Sequence, residues 1–166
     1  LIHYKTGEPI PQDLVTKIKN ASTFNEGFKT TEYMSSAIMD LLYHTTDPAK
    51  IEPDSFERDE LTRLGMPKEL VMRHRTTQFG HIFSGEGYAA AYYGYMWAEV
   101  LTSDAAEAFA EAPGGFYDKE VGDRLVKYLF SVRNAMDPEE AYRKFRGRDA
   151  KVEALMRDRG FPVTSS

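Results

Sequence analysis

The chain of 166 residues contains no cysteine, which excludes disulfides, thiolate metal ligands and a thiol nucleophile, and fits a reducing, cytoplasmic setting. It has no apolar run near the roughly 18 residues that a membrane helix needs, and its amino end carries no signal-peptide pattern. Neither sign of charge dominates. Lysine and arginine total 21 against 26 acidic residues, a net charge of −5 that disfavours nucleic acid and anionic membranes as partners. Several catalytic signatures are missing as well. There is no HExxH pair of zinc-binding histidines and no G-x-S-x-G nucleophile elbow, and GEGYAA is not a dinucleotide-binding GxGxxG. The carboxylates at Glu57, Asp59, Glu60, Glu139 and Glu140 read as solvated helix starts.

What the sequence does contain is helical punctuation. Pro11 opens a helix with Leu14, Ile18 and Ala21 along one side. Asn25 is placed to cap a second, whose apolar stripe is Met34, Ile38, Leu41 and Leu42, and which ends before Pro48. Asp54 with Glu57 resembles a capping box, Gly65 stops that helix, and Pro67 starts a short successor. Helical signals lapse from Thr76 to Gly87. A long helix is then expected from about Gly87 to Ala110, and another from Asp118 to Phe130 that buries Val121, Leu125, Tyr128 and Leu129. Asp137-Pro138 starts one more, stopped by Gly147, and Asp149 to Arg159 forms the last, ended by Gly160. With 42% hydrophobic residues to fill a core and no convincing strand, the expected class is all-α in one segment spanning residues 1–166.

Aromatic residues are plentiful, with ten Tyr and ten Phe. They concentrate in GHIFSGEGYAAAYYGY, where His81 and a loop with Gly85 and Gly87 precede Tyr88, Tyr92 and Tyr95. On a continuous helix these tyrosines and Glu99 fall within a stripe of roughly 60°, at about 100° per residue. A solvated stripe would use charged side chains and a dry one Leu or Phe, because a buried phenol needs a partner. A row of hydroxyls therefore fits the wall of a polar cleft, although packing would use the same spacing. Tyr93 and Trp97 are assigned to the core. Phenol O–H groups at a cleft wall can donate to a carbonyl oxygen as it becomes an oxyanion, and the glycines would let the loop close over an extended peptide. Arg73 and Arg75 are candidate partners for a peptide carboxylate. A self-contained helical module that binds peptide or protein without catalysis stays open on these residues.

FGHIFSGEGYAAAYYGYMWAEVLTSDAAEAF, residues 79–109, resembles the C-terminal region of the thimet oligopeptidase family of zinc metallopeptidases, and most nearly its peptidyl-dipeptidase branch. HYKTGEPIPQDLVTKI and YRKFRGRDAKVEALMRDRGF extend the similarity along the whole chain. The resemblance implies a largely helical, two-lobed fold around a deep channel, with zinc at its floor and oligopeptides as substrate. It also implies removal of dipeptides from free C-termini. Carried over residue by residue, the catalytic contacts fall on His81, Tyr88 and Tyr95, and substrate contacts on Tyr92, Gly85 and Gly87. The family's zinc ligands and general base have no counterpart here. The chain is thus expected to hold no metal itself, to be inactive alone, and to serve as the C-terminal part of a longer zinc enzyme. Its partners would be the rest of that enzyme, or a second copy through surfaces left open.

Overall fold

The computed structural model describes residues 2–163, and within them the chain is helical, with a lone antiparallel bridge between Ile2 and Pro9 as its extended pairing. Among the described residues eight α-helices run in order: α1 (Gln12–Ser22), α2 (Glu26–Thr45), α3 (Pro53–Arg63), α4 (Gly80–Phe83), α5 (Gly94–Glu111), α6 (Lys119–Leu125), α7 (Pro138–Arg146) and α8 (Val152–Asp158). Single 3₁₀ turns at Pro48–Lys50, Thr76–Gln78, Glu86–Tyr88 and Gly115–Tyr117 link them, and a π-helical turn, Val126–Phe130, extends α6.

Apolar packing gathers at two centres. The first joins Met39 and Tyr43 of α2 to Leu61 of α3, and to Met72, Phe79 and Ile82 of the segment leading into α4. The second joins Ala108 of α5, Val121 of α6, and Tyr142 and Phe145 of α7. Helix α8 lies along α5 and buries Ala154 and Leu155. The α5 helix thus begins beside the first centre and ends inside the second.

Most of the punctuation acts as the sequence indicates. Asp137 accepts from Glu139 N (2.9 Å) and Glu140 N (3.1 Å), satisfying amides that the first turn of α7 leaves over. Gly147 ends that helix at φ +81°, and Gly65 closes α3 at φ +84°. The expected face of Val121, Leu125, Tyr128 and Leu129 packs on the second centre, although the backbone widens to a π turn after Leu125.

Other expectations are corrected. Asn25 does not cap α2 with its side chain; it sits at φ +62°, a conformation asparagine tolerates. The buried face of α2 is Ser36, Met39, Asp40 and Tyr43, whereas Met34 and Leu41 are exposed. Leu14 and Ile18 of α1 are exposed too. Helix α3 is capped by Glu52, which accepts from Ser55 N at 2.9 Å, in place of the box at Asp54. Glu57 is instead buried and reaches across to Thr76 N (2.8 Å) and Thr76 Oγ1 (2.6 Å). Pro67 starts only a turn, and the stretch 76–87 holds short helical turns where irregular loop was expected. Helix α8 starts later than expected, at Val152.

Candidate functional site

The expected long helix is broken. Its regular part begins at Gly94, and residues 88–93 form tight turns in which Ala91 N bonds Tyr88 O (3.0 Å) and Gly94 N bonds Ala91 O (3.0 Å). Ala90 sits at φ +55°, in the left-handed region that an L-alanine enters at a cost of roughly 1–2 kcal/mol. The tyrosines therefore do not share one helix face. They nonetheless meet, because the turns fold Tyr88 back onto the start of α5.

The result is one aromatic cluster with polar edges. The rings of Tyr88 and Tyr95 stack with centroids 5.5 Å apart and planes 6° from parallel. Tyr92 meets Tyr95 edge-on at 5.4 Å, and His81 stands 4.3 Å from Tyr88 and 5.6 Å from Tyr92. His81 Nε2 and the Tyr95 hydroxyl share a 2.9 Å hydrogen bond, with the proton on either atom according to the imidazole tautomer. Tyr88 and Tyr95 are 41% and 40% exposed, so the cluster opens to solvent and is not sealed in the core. The Tyr95 phenol is pushed up to about 12, chiefly by the Tyr88 hydroxyl beside it and further by desolvation and by Tyr92. It is consequently a protonated donor throughout the neutral range.

Helix α2 supplies the floor beneath this cluster. Tyr33 stacks on Tyr92 (5.5 Å), donates to Tyr92 O (2.5 Å) and accepts from Met96 N (3.2 Å). Burial raises the Tyr33 phenol above its usual range. Asp40, fully buried, accepts from Ala90 N (3.0 Å) and Tyr92 N (2.9 Å), and His44 Nδ1 lies 2.9 Å from its carboxylate. Sequence reasoning missed Tyr33 and Asp40. The signal for Asp40 was available, since it is an acid inside the apolar run Ile38-Met39-Asp40-Leu41-Leu42, one turn before a histidine.

The remaining candidates separate from the cluster. Gly85 and Gly87 lie in the loop before Tyr88. Gly85 is extended at φ 167°, and a Cβ at either glycine would meet open space, so this conformation does not require glycine there. Arg75 is held by Glu57 (2.7 Å) and Asp54 (3.6 Å) and is not free for a carboxylate. Glu99 pairs with Arg159 at the far end of the polar row. Tyr93 and Trp97, expected in the core, are 52% and 61% exposed; they occupy a side of α5 away from both packing centres.

Zinc, which the resemblance implies, finds no fit here. Among the described residues no three His, Asp or Glu side chains converge to hold a metal ion. The histidines are dispersed: His3 Nδ1 faces the Lys5 and Thr6 amides, His44 faces Asp40, His74 stacks on Phe79, and His81 bonds Tyr95. A shallow groove of about 410 Å³ lies elsewhere, between α5 and α8, where Arg157 and Glu107 pair across its rim. Among the described residues no helix is long and apolar enough to cross a membrane.

The chain is 35% identical over 97% of its length to dipeptidyl carboxypeptidase of Escherichia coli, and 32% identical over 95% to oligopeptidase A of Haemophilus influenzae. Saccharolysin of Saccharomyces cerevisiae matches 95% of the chain at 27% identity. In each case the chain spans less than a quarter of the relative's own length, 24%, 23% and 22% respectively. The sequence pattern of Peptidase family M3 matches residues 1–161, nearly the whole chain, and the protein belongs to that family.

Proposed function

We propose that this chain is the substrate-side portion of a longer, cytoplasmic zinc metallopeptidase that removes dipeptides from the C-termini of oligopeptides. The observation that carries the reading is the gathering of His81, Tyr88, Tyr92 and Tyr95 into a solvent-open cluster whose central phenol stays protonated. When water adds to a peptide carbonyl, negative charge develops on the carbonyl oxygen. A fixed O–H donor aimed at that oxygen contributes about 2.7–4 kcal/mol to the transition state. Tyr95 takes this role. His81 supports it: as the Nε2–H tautomer it donates to the Tyr95 oxygen and leaves the phenol proton free to point at substrate. Tyr88 supplies a second hydroxyl, and Tyr92 the wall behind them. Gly85 and Gly87 are assigned to contact with the peptide backbone.

Zinc and the base that activates water are assigned to other parts of the longer protein, so the isolated chain is inactive. The exposed side of α5 at Tyr93 and Trp97 is assigned to contact with that remainder, or in its absence to a second copy. Two measurements test the proposal. The purified chain supplied with zinc should release no product from a peptide, and turnover would contradict its assignment as a partial site. The full-length enzyme should release dipeptides from peptides with a free C-terminus and fail on the amidated forms. Equal cleavage of both would remove the dipeptidyl specificity and leave a general oligopeptidase.

A further inference from the structure

A continuous helix from Gly87 would place Tyr88 and Tyr95 seven residues apart, about 10.5 Å along the axis at 1.5 Å per residue. Their rings stack at 5.5 Å. The Tyr88–Tyr95 stack therefore exists only because the helix is interrupted, and the interrupted sequence is Ala89-Ala90-Ala91, the residue type with the highest helix propensity. Something other than local preference must hold the break. The amides of Ala90 and Tyr92 point away from the local turns, and both end on the Asp40 carboxylate, one on each oxygen. That carboxylate is fully buried, and His44 Nδ1, which is hydrogen-bonded with the Asp40 backbone carbonyl (2.8 Å), lies 2.9 Å from it. Tyr33, two turns earlier on the same helix, fixes the Tyr92 carbonyl. Bonds from N–H groups to an ionised acceptor are about twice as strong as neutral ones.

We propose that Asp40 is a positioning residue whose carboxylate clamps the Ala90–Tyr92 turns out of helical register and so stacks Tyr88 onto Tyr95. The clamp is a statement about the fold of this chain; its effect on turnover rests on the assignment of Tyr95 as an oxyanion donor. Without the carboxylate the Ala90 and Tyr92 amides lose their acceptor and the turns loosen, which releases Tyr88 from Tyr95 and strips the donor of its neighbour.

The test is made in the full-length peptidase with Asp40→Ala, Asp40→Asn, Tyr95→Phe and the Asp40→Ala/Tyr95→Phe pair. Hydrogen exchange at residues 88–93 should lose the protection of the Ala90 and Tyr92 amides in Asp40→Ala. Asp40→Asn, which keeps one acceptor oxygen, covers the case in which the alanine variant does not fold, and should lose protection in part. The Tyr95 phenol should titrate below its position near 12 in both. Asp40→Ala should lower kcat about 100-fold, the scale of a 1 Å misplacement, with little change in KM. The double variant should be no slower than the slower single one, since Asp40 acts through Tyr95. Unchanged protection and titration in Asp40→Asn, or multiplicative kinetic losses, would overturn the proposal. If Tyr95→Phe alone leaves kcat intact, the catalytic assignment falls, and protection and titration alone then decide the clamp: lost, it stands; kept, it is wrong.

Discussion

Among the described residues two aspartates are wholly buried, Asp40 and Asp104, and they do opposite things. Asp104, in the second half of α5, faces side chains: it accepts from the Tyr142 hydroxyl (2.7 Å), and Arg146 (3.3 Å) and Arg148 (2.8 Å) converge on it. Arg146 continues to Glu111 through a two-pronged pair at 2.7 and 2.8 Å, so the network ties α5 to α7. Asp40, on α2, faces backbone instead and holds a strained turn against the helical preference of the alanine run. Around Asp104, every partner is a side chain on a regular helix or the loop after one, and the region is structural. Around Asp40, the hydrogen-bond donors to the carboxylate are the amides that shape the candidate site, with His44 beside them. Burial of a charge thus marks stability in one half of the molecule and geometry in the other.

The sharpest break of this contrast is Asp104→Ala. It strands two arginines and a phenol, and should cost about 3–5 kcal/mol of global stability, read as a lower urea midpoint, while the Tyr95 titration stays where it is. A smaller effect comes from acid. Burial pushes the Asp104 carboxyl up, but the bonds from Arg148 and Tyr142 outweigh it and hold the group below its ordinary value. A lowered folded pKa contributes stability that is complete above the unfolded value of about 3.9 and is lost as pH falls through the folded one. Unfolding midpoints of the wild type should therefore drop more steeply below about pH 4 than those of Asp104→Asn; parallel curves would remove Asp104 from the acid response. At the alkaline end the sign reverses. Tyr95, raised to about 12, favours the folded state below the unfolded value of about 10, and that contribution fades as pH rises between the two. Absorbance at 295 nm should lose a late phenolate step near pH 12 in Tyr95→Phe. The smallest change is Ala90→Gly, where relief of the positive φ is offset by chain entropy, and stability should move by no more than about 1 kcal/mol.

Much of this architecture was legible where local chemistry decides it. Asp137-Pro138 and Gly147 bound α7 as written, and the spacing of Val121, Leu125, Tyr128 and Leu129 marks the face that packs. The gathering of His81 with Tyr88, Tyr92 and Tyr95 was also legible, but on the wrong geometry: a single helical stripe was expected and a folded-back turn was found. Alanine propensity argued for helix, and an acceptor about fifty residues upstream overrode it. Glu57 failed the same way, reading as a solvated helix start while its partner, Thr76, lies in a distant turn. Trp97 was placed inside on hydrophobicity alone, which ranks a residue's preference but does not say which side of α5 is covered.

The account stands or falls on Tyr95 as the donor to the developing oxyanion. Steady-state kinetics of Tyr95→Phe in the full-length peptidase test it most directly, with circular dichroism confirming that the fold is kept. Loss of a contact made only in the transition state predicts kcat reduced by about 10²–10³-fold with KM little changed. An unaltered kcat, or a loss confined to KM, would contradict it.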